Sequence, residues 1–288
     1  MQVDLCVFLA GLYLEEYTPL FFETLFANCD ISRLCIHVVE KGYIKYPEGV
    51  EKDPWGVNLE LDYYFPISEN VHNYLLKKQN ESPVPFYIYK EHDPQLFFNK
   101  SGPGKPFFQY SHDHSETLNW AISNCGTNKW VIFSHSDMVF RDDIQKDIIT
   151  RLIEGMHDWV GIWGCYSHCF AVNREAYFKT EVNFNAASGF CAVNVKEKHK
   201  GFGYEIRHGS DPLCPPNAEL MYGWDVAELL RLIMTSNGWE CDLSQVNQDL
   251  NNCVDHMSSG HGYVNDDVAE SQKQRRRNWL KHYRVQRL

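Results

Sequence analysis

The chain has 288 residues, 44% apolar and 23% charged, with a formal net charge of −11. That length and balance suit one large globular domain with a sizeable core and exclude a largely disordered chain. No window approaches 18 consecutive apolar residues, which excludes a transmembrane helix, and the acidic excess makes a generic nucleic-acid binder a poor fit.

The opening Met1–Ala10 is apolar but short, has no basic flank and carries Asp4. It fits a buried strand over Asp4–Ala10 better than a signal peptide. The ten cysteines are scattered without a CxxC pair, which predicts reduced thiols in a cytoplasmic protein, with peripheral attachment to the inner face of a membrane as an extension of that reading. Glu15–Asn28 has Tyr17, Leu20, Phe21, Leu25 and Phe26 at roughly helical spacing. Arg33–Val39 is a second strand, ending at Glu40-Lys41-Gly42. This β-α-β start predicts a parallel sheet with a right-handed crossover.

Residues 43–105 mix Pro, Gly, Asn and charge, with a strand predicted at Phe86–Tyr89 and a loop at Ser101–Pro106. Ser115 is placed as the N-cap of a helix that stops near Asn124-Cys125-Gly126. Trp130–Phe133 is a continuous apolar strand of the kind found inside a parallel sheet, running into Ser134-His135-Ser136-Asp137. A helix over Ile144–Glu154, strands over Trp159–Trp163 and His168–Val172, and a helix over Val226–Met234 complete the reading.

Four polar clusters could carry chemistry. Asp137 ends a buried strand, where ligands of open α/β sheets bind, and His135 points the same way along an extended segment. A carboxylate there could hold Mg²⁺ or Mn²⁺, which neutralises a diphosphate; the alternative is an Asp that caps the next helix. Gly223-Trp224-Asp225 puts an acid at a helix start, where it stays ionised and could act as a general base, or simply begin the helix. His256 and His261 lie among small residues and could bind Mn²⁺ or Zn²⁺. His112 and His114, with Asp137 and His256, could make a zinc hydrolase site.

The order of these features resembles the GT-A glycosyltransferases, in particular the family-2-like group. Val7-Phe-Leu-Ala-Gly11 precedes the first helix, and Asn119 lies on the helix before Lys129-Trp-Val-Ile-Phe-Ser134. His135-Ser136-Asp137 is similar to a DxD motif with His in place of the first Asp. Phe170–Phe178 and Gly223-Trp-Asp225 follow in the expected order, then His256. The resemblance covers roughly residues 3–260. It implies an α/β fold with a Rossmann-like, mostly parallel central sheet flanked by helices, as one domain over 1–260 with a basic tail over 261–288.

The resemblance also implies an inverting transfer of a hexosyl or related sugar from a nucleotide-sugar donor, a UDP- or GDP-sugar, to a glycan or lipid-linked acceptor. Asp137 and His256 would hold Mn²⁺ or Mg²⁺. Ala10, Gly11, Glu40, Asn119, His135 and Ser136 would line the donor site, and Asp225 would deprotonate the acceptor. A non-catalytic nucleotide-sugar or carbohydrate-binding protein on the same scaffold is the rival from another class.

Residues 271–288 carry seven Lys or Arg and no acid, with Trp279, Leu280 and Tyr283 between them. They read as a terminal helix or tail folded on the acidic body or as a segment that contacts an anionic membrane surface, with nucleic-acid binding a third reading that the acidic body disfavours.

Overall fold

Side-chain alternation decides the first element. In β1 (Val3–Ala10), Val3, Leu5, Val7 and Leu9 belong to one buried cluster and Cys6 and Phe8 to another. Successive strand residues point to opposite faces, so both faces of the sheet are covered. The structure, a computed structural model, describes residues 1–10, 13–44, 64–90, 109–165, 168–180, 183–184, 190–191, 204–207, 220–223, 227–244, 250, 252–256 and 266–288.

The remaining strands are β2 (Leu34–Ile44), β3 (Tyr64–Phe65), β4 (Phe86–Lys90), β5 (Trp130–His135), β6 (Met138–Phe140), β7 (Val160–Cys165), β8 (Cys169–Asn173), β9 (Phe190–Cys191), β10 (Tyr204–Arg207), β11 (Leu220–Gly223), β12 (Glu240–Ser244) and β13 (Val254–His256). Eight of them form the central sheet, in the order β12-β7-β8-β5-β1-β2, with β4 and β3 both on β2. The pairs β1–β2, β1–β5, β2–β4 and β7–β12 are parallel, while β8 runs antiparallel to both β5 and β7. This is the mostly parallel α/β sheet flanked by helices that the sequence predicts. Two smaller sheets are β10-β11-β9 and β13-β6.

Helices α1 (Leu14–Asn28), α2 (Glu69–Glu81) and α4 (Ile148–Glu154) cover one face of the sheet. Helices α3 (Gln109–Asn124), α5 (Arg174–Lys179) and α6 (Glu228–Ser236) cover the other. Phe21 of α1 meets Phe22 edge-on at 5.1 Å and Phe140 of β6 at 5.0 Å, a geometry worth about 0.5–1.5 kcal/mol per pair beyond burial.

Helix α7 (Asp266–His282) lies against α1, with Trp279 sharing a buried cluster with Tyr17, Leu20 and Val139. The basic segment thus forms a helix folded on the acidic body. Its side chains reach acids of that body: Arg275 pairs with Asp255 at 3.5 Å, Arg276 with Glu16 at 2.6 Å and Arg287 with Glu15 at 3.3 Å, and the His282 ring lies 3.6 Å from Asp142. A backbone bond seals the contact. Pro19 inside α1 has no N–H to give to the Glu15 carbonyl, and the Leu288 amide donates to that oxygen instead at 3.1 Å.

Several boundaries move. Strand β2 continues past Glu40 through a bulge, since Leu9 pairs with Glu40 but Ala10 with Gly42. Ser115 is not an N-cap: α3 begins at Gln109, and Ser115 is fully buried within it. Helix α4 begins four residues later than expected because Asp147 caps it, accepting from the Thr150 amide at 2.9 Å. Helix α2 falls in the stretch the sequence leaves unassigned. The Ser101–Pro106 loop lies outside the described residues.

Candidate active site

Strand β1 has its sequence neighbour β2 on one side and β5, which follows a long excursion, on the other. The winding direction therefore reverses between β1 and β5, and a crevice opens at the carboxyl ends of these two strands. Phe8 is the register partner of His135, so Ala10 and the turn after β5 flank that crevice. Trp130 and Ile132 of β5 pack into one layer and Val131 and Phe133 into the other. This fixes the strand on both faces as far as His135, after which the chain turns at Ser136 and Asp137.

His135 and Asp137 face each other across the turn, with Nδ1 3.9 Å from Oδ1 and side chains 22% and 14% exposed. Ser136 between them is buried, at 3% exposure. The Ser134 hydroxyl donates to the His135 carbonyl at 3.1 Å, and the His135 amide donates to the His168 carbonyl at 3.0 Å. These bonds hold the turn on β8. His114 of α3 reaches in from the opposite layer. Its Nε2 lies 3.2 Å from His135 Nε2, the rings are edge-to-face at 4.7 Å, and Phe8 packs edge-on against it at 6.0 Å.

After Asp137 the chain enters β6, not a helix, so Asp137 does not cap the following helix. Strand β13 runs antiparallel to β6 with His256 opposite Met138. The backbone of His256 is therefore one register position from Asp137, although the two are far apart in sequence. The side chains of His256 and His112 are not described, and Gly11 and Asp225 lie outside the described residues; α6 begins at Glu228, three residues after Asp225. His135 meets Asp137 through Nδ1 and His114 through the opposite ring nitrogen, so these three side chains do not converge on one ion. The Asp137 carboxylate, with phosphate and water as further ligands, is the donor here that fits Mn²⁺ or Mg²⁺.

Other expected residues have definite partners. The Glu40 carboxylate, 6% exposed, accepts from His72 Nδ1 of α2 at 2.6 Å. Asn119 Oδ1 accepts from the Tyr177 hydroxyl at 2.8 Å and the Phe184 amide at 2.9 Å, which pins the segment after β8 to α3. Two contributors near the site went unread in the sequence. Burial pushes the Tyr17 phenol up to about 12, with Asp137 and Glu16 adding to the rise and Arg276 opposing it. Arg276 itself lies 3.7 Å from the Tyr13 ring centroid, a cation–π contact. The only signal for these was the basic segment itself, read as packing on an acidic body.

No family model matches the chain, and no curated protein sequence matches it. Among solved structures it is similar to the mannosyltransferase PcManGT from Pyrobaculum calidifontis in complex with GDP-Man and Mn²⁺, with 11% identity over 64% of this chain and 47% of that one at a TM-score of 0.40. It is similar to the glycosyltransferase GlyE of Streptococcus pneumoniae TIGR4, with 11% identity over 98% of this chain and 60% of that one at a TM-score of 0.46. A third is S. aureus TarS in complex with UDP-GlcNAc, with 10% identity over 64% of this chain and 48% of that one at a TM-score of 0.36. The chain thus spans about half the length of these proteins. No helix among the described residues is long and apolar enough to cross a membrane.

Proposed function

We propose that the chain is a glycosyltransferase that moves a sugar from a nucleoside-diphosphate donor to a hydroxyl acceptor with inversion. One observation carries this reading: Asp137 stands at the reversal point of a parallel sheet, and the β6–β13 register brings the backbone of His256 alongside it. A carboxylate and a late imidazole at that position would hold Mn²⁺ or Mg²⁺. When bound, such an ion supplies Lewis-acid stabilisation of the negative charge on the departing diphosphate.

The chain's own residues do the rest. His135, held against His114, lies beside the donor diphosphate or ribose. Ala10, Gly11 and Ser136 shape the floor of the donor site, and Glu40, fixed by His72, lies on the nucleoside side. Asn119 braces the wall through Tyr177 and Phe184. Asp225 takes the proton from the acceptor hydroxyl as its oxygen attacks the anomeric carbon.

The test is a binding titration of nucleotide sugars, beginning with GDP-mannose and UDP-GlcNAc, with and without Mn²⁺. One nucleoside diphosphate sugar should bind, more tightly with Mn²⁺, and Asp137→Asn should weaken that binding about tenfold or more. A chain that binds none of them is not a glycosyltransferase. The His114–His135 contact also favours a second reading, a metal-dependent hydrolase. Zinc-loaded protein that hydrolyses ester or amide substrates while ignoring nucleotide sugars would select it.

A further inference from the structure

At the other end of β1, roughly 20 Å from Asp137 at the usual rise per strand residue, a second polar cluster lies within the fold. Asp4 and Cys35 are register partners on β1 and β2, as are Cys6 and His37, so Asp4, Cys35 and His37 share one face of the sheet. Asp4 and His37 are 0% and 2% exposed, while Cys35 is half-buried. One ligand atom from each of the three lies within 4.8 Å of the others.

The finer geometry suits a tetrahedral ion. His37 Nε2 and Asp4 Oδ1 are 3.2 Å apart, close to the roughly 3.3 Å edge between two ligands each about 2.0 Å from a tetrahedral zinc. The other ring nitrogen of His37 meets the Tyr89 hydroxyl at 3.0 Å, and the ring stacks on Tyr87 at 5.2 Å. An outer partner of this kind orients a metal-binding imidazole. Asp4 is braced in the same way. Its Oδ2 accepts from the Asn128 amide and from Arg174, each at 3.0 Å, and its Oδ1 accepts from Asn128 Nδ2 at 2.7 Å. A carboxylate has about four acceptor positions; these bonds take three, and the fourth points at His37.

We propose that Asp4, Cys35 and His37 form a binding site for a zinc-class divalent cation, separate from the site at Asp137. The mixed thiolate, imidazole and carboxylate set selects a borderline-soft ion over Mg²⁺. Cys35 swings in by about 1 Å to complete the ligand set, and solvent on its exposed side supplies the fourth position. The thiol of Cys35 loses its proton to solvent on binding. The proton moves from Nε2 of His37, which binds the ion, to Nδ1, where the N–H donates a hydrogen bond to the Tyr89 hydroxyl. The ion's two positive charges meet one thiolate and one carboxylate, and Arg174 remains on Oδ2. The proposal does not depend on the glycosyltransferase reading.

Cobalt(II) added to chelator-treated full-length protein tests it. One equivalent should give the near-ultraviolet band of thiolate-to-cobalt charge transfer together with strong visible bands of a tetrahedral ion, both discharged by Zn²⁺. Cys35→Ser and, as a second variant, Cys35→Ala should abolish the charge-transfer band, and Asp137→Asn should retain it. No such band, a band that survives both Cys35 variants, or one lost in Asp137→Asn overturns the proposal.

Discussion

Arg174, the first residue of α5, lies 3.0 Å from Asp4, a carboxylate inside β1 that solvent does not reach. Burial pushes the Asp4 carboxyl up, but hydrogen bonds from His37, Asn128 and Arg174 outweigh it and hold the group below the ordinary Asp range. The same guanidinium donates to the carbonyls of Ile122, Cys125 and Asn128. It thus neutralises a buried charge and closes the carbonyl end of α3, where a cation is favourable. Arg174→Met should cost about 3–5 kcal/mol, since it leaves a buried carboxylate without its counter-charge. Urea unfolding midpoints measure this, and adding Asp4→Asn to Arg174→Met should recover part of the loss.

Gly126 packs on the same carboxylate. Its φ is +73°, and a Cβ added there would stand 2.3 Å from the Asp4 carboxyl group. Gly126→Ala therefore combines left-handed backbone strain with a clash against a fixed side chain, and we expect a loss of about 2 kcal/mol or more. The melting temperature should fall by about 5 °C or more.

Two adjacent arginines on α7 should behave differently. Arg276 is 2% exposed, bonded to Glu16 and stacked on Tyr13, whereas Arg277 is 57% exposed and reaches Glu270 only at 4.0 Å. Arg276→Ala should destabilise by about 2–4 kcal/mol, and Arg277→Ala by no more than about 0.5 kcal/mol. Thermal unfolding of the two variants side by side checks the contrast. Equal effects would mean that α7 is not anchored through Arg276.

If Asp225 is the general base, Asp225→Asn should lower the rate of sugar transfer about 10²–10⁴-fold while leaving the donor dissociation constant within about twofold, on the logic that such a group acts only in the transition state. Steady-state rates and donor titration on one preparation separate the two quantities. An equal loss of donor binding would make Asp225 a donor-site or structural residue.

The sheet was legible where strands are apolar on both faces. Asp4–Ala10 and Trp130–Phe133 announce themselves because nearly every residue is apolar, as burial on both faces requires. Helix α2 was not legible, because its two fully buried residues, Val71 and Leu75, leave too narrow a stripe to stand out among thirteen mostly polar positions. The continuation of β2 past Glu40 was hidden for a different reason. A charged Glu-Lys-Gly run reads as a strand end, and the His72 bond that lets Glu40 stay buried comes from 32 positions away. At the candidate site, the strand-end position of Asp137 followed from hydrophobic pattern alone. The approach of His114 to His135 did not, since it depends on how α3 crosses the sheet. Asp4 was visible as an acid inside an apolar strand, but nothing local named Arg174, 170 positions away, as its partner.

The bond from the Leu288 amide to the oxygen that Pro19 leaves uncovered also bears on order of assembly. Synthesis produces α1 long before position 288, so the Glu15 carbonyl is left to water until the Leu288 amide arrives. The β6–β13 pairing imposes a similar wait on the crevice, because Met138 finds its partner only after position 256. Contacts between such distant parts of a chain form slowly. Polypeptides that stop short of β13 should therefore form much of the sheet without the pairing that brings the backbone of His256 alongside Asp137.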